Sequence, residues 1–151
     1  MTNPELDALG PLRPQQSGVF MIPRALPILR KVAQRTQCAW FEVDLHAARD
    51  KAGFLAACAH DLKFPPYFGA TWDAFSDCLN DFSWATAPGY VIVIGNGAPF
   101  AQHAPQDSAT ALEILRATAD AWRARHKTFI ALLDCVPPAV AVDAFPEPPP
   151  A

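Results

Sequence analysis

The sequence has no long apolar run, no CxxC pair and no surplus of positive charge. No segment reaches the ~18 uninterrupted apolar residues of a membrane-spanning helix, so no membrane contact is expected. The first residues, MTNPELDALGPLRPQQSG, hold acids and prolines where a secretory leader would place basic residues and then an apolar stretch, and a cytoplasmic location is expected. Four cysteines, Cys38, Cys58, Cys78 and Cys135, lie far apart in the chain and read as buried, reduced thiols rather than zinc ligands. Cys58-x-His60 is at most half a metal site. His46, His103 and His126 are scattered, so no metal and no cofactor is expected. Twelve lysines and arginines against fifteen aspartates and glutamates give a formal net charge of −3, which argues against nucleic-acid binding, since phosphate recognition needs a concentrated basic surface. The one basic cluster, Arg116, Arg123, Arg125 and Lys127, is interleaved with Glu113, Asp120 and apolar residues and reads as a solvated helix face.

What remains is a chain of 151 residues with 51% hydrophobic residues, enough for one core and too short for two. Both ends are proline-rich: residues 1–17 and 136–151 lack periodicity and are expected to be tails. Between them, GVFMIP at 18–23 is a short β-prone run, and residues 25–37 space Leu26, Ile28, Leu29 and Val32 as a helix would. CAWFEVDL at 38–45 is a compact strand candidate. Residues 47–62 put Ala48, Ala52, Leu55, Ala59 and Leu62 on one helical face. GYVIVIG at 89–95 is almost wholly apolar, as strands buried on both faces of a parallel sheet are. Asp107 or Ser108 could cap a helix carrying Ala111, Leu112, Leu115, Ala119 and Trp122, and KTFIALLD at 127–134 completes the set. Strand, two helices, strand, helix, strand is βαβ grammar. The class expected is α/β: a small parallel three-stranded sheet packed with helices, in a domain spanning 18–135, its core at 38–134 and a strand/helix extension at 18–37.

One stretch stands apart. Residues 64–84, FPPYFGATWDAFSDCLNDFSW, begin with a pair of prolines that block helix continuation, and Gly69 permits backbone angles that other residues resist. Thr71 is the natural N-cap of a helix running to about Phe82. At 100° per residue, Trp72, Phe75, Cys78, Leu79 and Phe82 share an apolar side, and Asp73, Asp77, Asn80 and Asp81 fall opposite as an acidic stripe. Tyr67 and Phe68 stand at the loop leading into it. Asp73 lies in the first turn, where the helix dipole stabilises an anion by about 0.3–1 kcal/mol. Asp77 and Asp81 gain less, and like charges four residues apart cost about 0.2–0.5 kcal/mol per pair. A solvated acidic face could carry so small a sum without any purpose.

The run Tyr67-Phe68-Gly69, Trp72-Asp73-Ala74-Phe75 and Asp77-Cys78-Leu79 resembles the barstar family's pattern of a Tyr-aromatic-Gly loop followed by an acidic helix. The resemblance extends more diffusely from about Phe41 to Leu133. It implies an inhibitor that covers the active site of a secreted microbial ribonuclease, its carboxylates standing in for RNA phosphates. By that resemblance Asp77 would enter the enzyme's phosphate subsite, Asp73 would assist from one turn earlier, Tyr67 would pack on the enzyme, and Gly69 would shape the loop. Phe68, Ser76, Asn80 and Asp81 complete the partner-binding set, in a protein that is monomeric when free. The sequence differs from the family's pattern at Thr71 (asparagine), Ser76 (a bulky aromatic) and Ala117 (an acid), so a partner other than a ribonuclease, such as another basic protein, stays open. An enzyme is not expected, because the Asp73 and Asp77 pair has no evident histidine partner and no phosphate-binding glycine loop, with only His46 and His60 near in sequence.

Overall fold

A computed structural model of the chain describes residues 10–66 and 68–146. Among the described residues four strands form one sheet: β1 (Gly18–Met21), β2 (Ala39–Asp44), β3 (Gly89–Gly95) and β4 (Thr128–Leu133). Their order is β1-β4-β3-β2 and every pairing is parallel, with Gly18 opposite Ile130, Ala39 opposite Tyr90, and Gly89 opposite Thr128. The α/β class and the parallel sheet packed with helices are therefore as the sequence indicates, with one correction of count. The strand of the N-terminal extension is not separate from the sheet but its fourth member, adding to the β4 edge in register from Gly18 to Met21.

Five α-helices among the described residues connect the strands: α1 (Leu26–Arg35), α2 (Lys51–Asp61), α3 (Trp72–Asp81), α4 (Ala98–His103) and α5 (Pro105–Ala124). Parallel neighbours need such crossovers, because a tight turn cannot return the chain to the same end of the sheet. Helix α2 starts later than its apolar spacing suggests, because Asp50 caps it by accepting from the Gly53 amide at 2.8 Å, while Ala48 stays buried in the preceding turn. Helix α5 starts earlier than a cap at Asp107 or Ser108 would allow. Pro105 opens it after Ala104, and Asp107 sits in its first turn, where a carboxylate suits the dipole. The short α4, opened by Ala98-Pro99, has too few residues to show a period and is absent from the sequence reading.

The pleat of β3 and β4 sorts their side chains between two cores. Tyr90, Ile92, Ile94, Phe129, Ala131 and Leu133 meet α2, α3 and α5 through Phe54, Leu55, Cys58, Phe75, Leu79, Leu115 and Trp122. On the other face Val91, Val93, Ile130 and Leu132 meet Leu29, Val32 and Ala33 of α1. Wholly apolar strands demand cover on both sides, and the N-terminal extension supplies the second cover.

The segments read as tails also take part over their described residues. Leu12 and Phe145 are buried in the α1-side core, at 6% and 3% exposure. Ser17 is buried beside β4, its hydroxyl donating to the Lys127 carbonyl and accepting from the Phe129 amide at 3.0 Å. Ala144 bridges to Met21, whose amide donates to the Asp143 carbonyl at 2.8 Å and whose carbonyl accepts from Phe145. A single anchoring aromatic or leucine has no period to reveal it, which is why composition alone suggests tails here. Residues 1–9 and 147–151 lie outside the described residues.

Candidate functional site

Helix α3 forms where the sequence places it. Thr71 is its N-cap, with the hydroxyl accepting from the Ala74 amide at 3.0 Å, and Asp73 follows in the first turn. Phe75, Cys78 and Leu79 are buried and Trp72 is half-buried, as the apolar stripe requires. The helix ends because Phe82 turns left-handed, at φ 47°, and drives its ring into the core. There the ring stacks on Tyr90 with centroids 4.6 Å apart and on Phe41 at 5.6 Å. The left-handed backbone costs a residue with a Cβ about 1–2 kcal/mol. Complete burial of a phenylalanine recovers about 1.5–3 kcal/mol, so the exchange favours the turn. Further along the helix, Phe54 meets Trp72 and Phe75 with centroids at 5.8 and 5.4 Å, fixing the end of α3 that faces the loop.

The loop before α3 is held from inside. Lys63, left-handed at φ 58°, ends α2, and the Phe64 amide returns to the Ala59 carbonyl at 2.9 Å. The Trp84 indole N–H donates to the Leu62 carbonyl at 3.2 Å. Phe64 packs on Phe68, Phe75 and Trp84, and the Phe68 amide donates to the Pro65 carbonyl at 3.0 Å. Phe68 is thus half-buried and pinned under the loop. Gly69 is exposed, but the expectation that it provides the unusual backbone angle needs correcting: the positive φ of 52° belongs to Ala70. The handover from the proline turn to the Thr71 cap falls on the residue just before the cap, and alanine's small Cβ tolerates it at a cost.

A Cβ at Gly69 would meet nothing within 4 Å. Gly69→Ala is therefore expected to leave the melting temperature level or slightly raised. Ala70→Gly is expected to stabilise by about 0.5–1 kcal/mol, the relief of about 1–2 kcal/mol of left-handed strain less the added entropy of the unfolded chain. Thermal melts of both variants check this, and a drop in stability for Ala70→Gly would contradict it.

On the outer side of α3, Asp73, Asp77 and Asp81 are all exposed. The side chains of Asp73 and Asp77 make no hydrogen bond or ion pair with any described residue, whereas Asp81 accepts from the Ser83 hydroxyl at 3.0 Å. Ser76 and Asn80 are half-buried rather than free, and the Asn80 amide donates to the Ser76 carbonyl at 2.8 Å. Burial pushes the Cys78 thiol above its ordinary pKa, and the carboxylates of Asp81 and Asp77 push it further in the same direction. It stays protonated and inert. Burial does the same for Cys58, with Asp61 adding to it, and burial alone for Cys38. Tyr67 lies outside the described residues. Ala117 is exposed on α5.

The histidines near this stretch in sequence turn elsewhere. The His60 ring lies 2.8 Å from Asp61, and the His46 ring 3.1 Å from Asp44. Asp44 also accepts from the Asn96 side chain and the His46 amide, and these hydrogen bonds hold its carboxyl below the usual range. Among the described residues no group of three histidine, cysteine or acidic side chains could hold a metal, and no helix is long and apolar enough to cross a membrane. A cavity of about 340 Å³ opens between α1 and β2, lined by Leu26, Pro27, Arg30, Lys31, Gln34, Trp40 and Glu42, none of them a residue of α3 or its loop. What α3 presents is an exposed, carboxylate-bearing helix face, a surface rather than a pocket.

The basic cluster is the feature whose role the sequence did not reveal. The side chains of Arg116, Arg123, Arg125 and Lys127 donate to the carbonyls of Ala141, Ser17, Asn80 and Ala87 respectively, so each closes a main-chain acceptor. Their targets lie 25 to 106 residues away along the chain, out of reach of any local pattern.

No curated protein matches the chain. A family model described as Barstar (barnase inhibitor) matches residues 38–134, a span that opens just before β2, closes just after β4 and contains α3 with its loop. With its α/β architecture and more than half of its length matched by that model, the chain belongs to the barstar family.

Proposed function

We propose that this protein is an inhibitor that binds a microbial, barnase-type ribonuclease and blocks its active site with α3 and the loop before it. The observation that carries the reading is the pair Asp73 and Asp77. Both are exposed and without a partner among the described residues, on a helix whose other face is locked into the core. An RNA-cleaving enzyme of this kind grips phosphates with a basic cleft, and carboxylates on a rigid helix imitate those phosphates. Tyr67, Phe68 and Gly69 flank the contact, with Ser76, Asn80 and Asp81 at its margin. The protein acts by binding and turns over no substrate. It acts as a monomer in the cytoplasm, where an organism needs protection from its own ribonuclease.

Titration of the purified protein into a barnase-type ribonuclease by calorimetry tests this, and one-to-one binding with loss of RNA cleavage is expected. Association should slow as salt rises, because steering between an acidic face and a basic cleft is screened within about 8–10 Å at physiological ionic strength. A complex formed at the same rate in low and high salt would contradict phosphate mimicry.

A second reading has its own support. Ser76, next to Asp77 in α3, and Ala117, exposed on α5, are smaller than the residues the family pattern puts there, which trims the surface a ribonuclease would meet. A basic protein other than a ribonuclease could then be the partner. Failure to bind the ribonuclease, with capture of a different basic protein that Asp77→Ala releases, would favour it.

A further inference from the structure

Helix α3 carries two of its three carboxylates away from the end that its dipole favours. Asp77 and Asp81 lie toward the C-terminus, where the dipole is negative, and no basic residue of its own occupies the last turn. The helix is also only ten residues long, too short to persist on propensity alone. Compensation comes from the far end of α5 and the turn after it. The Trp122 indole N–H donates to the Leu79 carbonyl at 2.9 Å in a buried bond, and an Arg125 guanidinium N–H donates to the next carbonyl, Asn80, at 2.9 Å. The Arg125 guanidinium lies 3.6 Å from the centroid of the Trp122 ring, with the Lys127 ammonium 5.7 Å from the same ring. Two consecutive orphan carbonyls of α3 are thus held by two stacked side chains from another element.

We propose that Arg125, backed by Trp122, is the positioning residue of the acidic helix: it places a cation on the C-terminal turn of α3 and fixes the direction in which Asp77 and Asp81 point. The consequence for binding rests on the reading of α3 as the partner-facing element, whereas the clamp itself does not. Arg125 is exposed and has no carboxylate partner among the described residues, so its charge faces the end of α3 and solvent.

The sign of the effect separates positioning from plain charge. Removing a cation from beside an acidic face should, by steering alone, speed association with a basic partner. Positioning predicts that Arg125→Gln weakens the complex all the same, through dissociation about ten-fold faster, the scale on which a charge-assisted hydrogen bond acts. Arg125→Lys should recover part of the loss, since it restores the cation without the planar stack.

The test has two arms on the full chain. Amide hydrogen exchange of free Arg125→Gln should be about ten-fold faster in the last turn of α3, residues 78–82, with β3, β4 and α5 unchanged, since the lost charge-assisted bond frays one turn only. Unchanged exchange in that turn, or an increase spread evenly over the sheet, overturns the clamp. Binding kinetics with the barnase-type ribonuclease then read the second arm. Faster association with unaltered dissociation overturns the positioning role and leaves Arg125 as mere charge. If the wild-type chain binds no ribonuclease, the functional reading fails, while the exchange arm still decides the clamp.

Discussion

Asp77→Ala is expected to abolish tight binding of the ribonuclease while leaving the fold intact. The carboxylate is exposed and makes no side-chain hydrogen bond or ion pair with any described residue, so its removal takes no such bond from the free protein. It should relieve a little repulsion from Asp73 and Asp81, about 0.2–0.5 kcal/mol per pair, and the melting temperature should hold or rise slightly. In the complex the same change leaves the enzyme's cations buried without a counter-charge. Such truncations cost about 2–5 kcal/mol, a range drawn in part from barnase with barstar themselves, and correspond to a loss of roughly 30- to 5,000-fold in affinity. Asp73→Ala should cost less in binding and more in stability, about 0.3–1 kcal/mol, because Asp73 serves the helix dipole. Calorimetry for affinity and thermal melts for stability read the two variants side by side. A variant at Asp77 that binds as tightly as the parent, or that loses binding only by unfolding, would remove α3 from the proposed contact.

The second large effect lies on the opposite side of the sheet. A chain begun at Cys38 retains the whole family-matched span yet is expected not to fold to a stable monomer. It lacks α1, so Val91, Val93, Ile130 and Leu132, each now at 7% exposure or less, would face water. It also lacks β1, which leaves the β4 edge unpaired and open to pairing with other chains. Leu29→Ala gives a graded version within the full chain. Leu29 is 1% exposed against these strands, and its truncation is expected to cost about 2–5 kcal/mol, a substantial part of the 5–15 kcal/mol that holds a typical domain. Circular dichroism melts and size-exclusion chromatography would show the truncated chain aggregated or without a cooperative transition. A soluble monomer with a cooperative melt near that of the full protein would show that the extension is an addition and not a part of the core.

Both predictions depend on features of different legibility. The helix from Thr71 to Phe82 was readable because its signals are local: a cap, an apolar stripe at helical spacing, and prolines that end whatever precedes it. The acidic stripe followed from the same periodicity. The left-handed angle at Ala70 rather than Gly69 was not readable, since it depends on how the proline turn, packed through Phe64 and Phe68, delivers the chain to the cap. The anchoring of Leu12 and Phe145 was hidden for a related reason. One apolar residue among prolines has no pattern until the surface that receives it exists.

The sequence by itself determined the order of the elements, the parallel grammar and the two-sided burial of GYVIVIG, because hydrophobic periodicity and run length are properties of neighbours along the chain. It also determined that Asp73 and Asp77 share a side opposite the apolar stripe. Only the tertiary structure decided which element covers the second face of the sheet, that the extension's strand joins it as a fourth member, and that α5's basic end closes the carbonyls of α3. Those choices rest on contacts between residues far apart in the chain, such as Arg125 with Asn80 and Leu29 with the faces of β3 and β4. Their free energy comes from removing apolar surface and unpaired carbonyls from water, and no local spacing records which distant partner will do it.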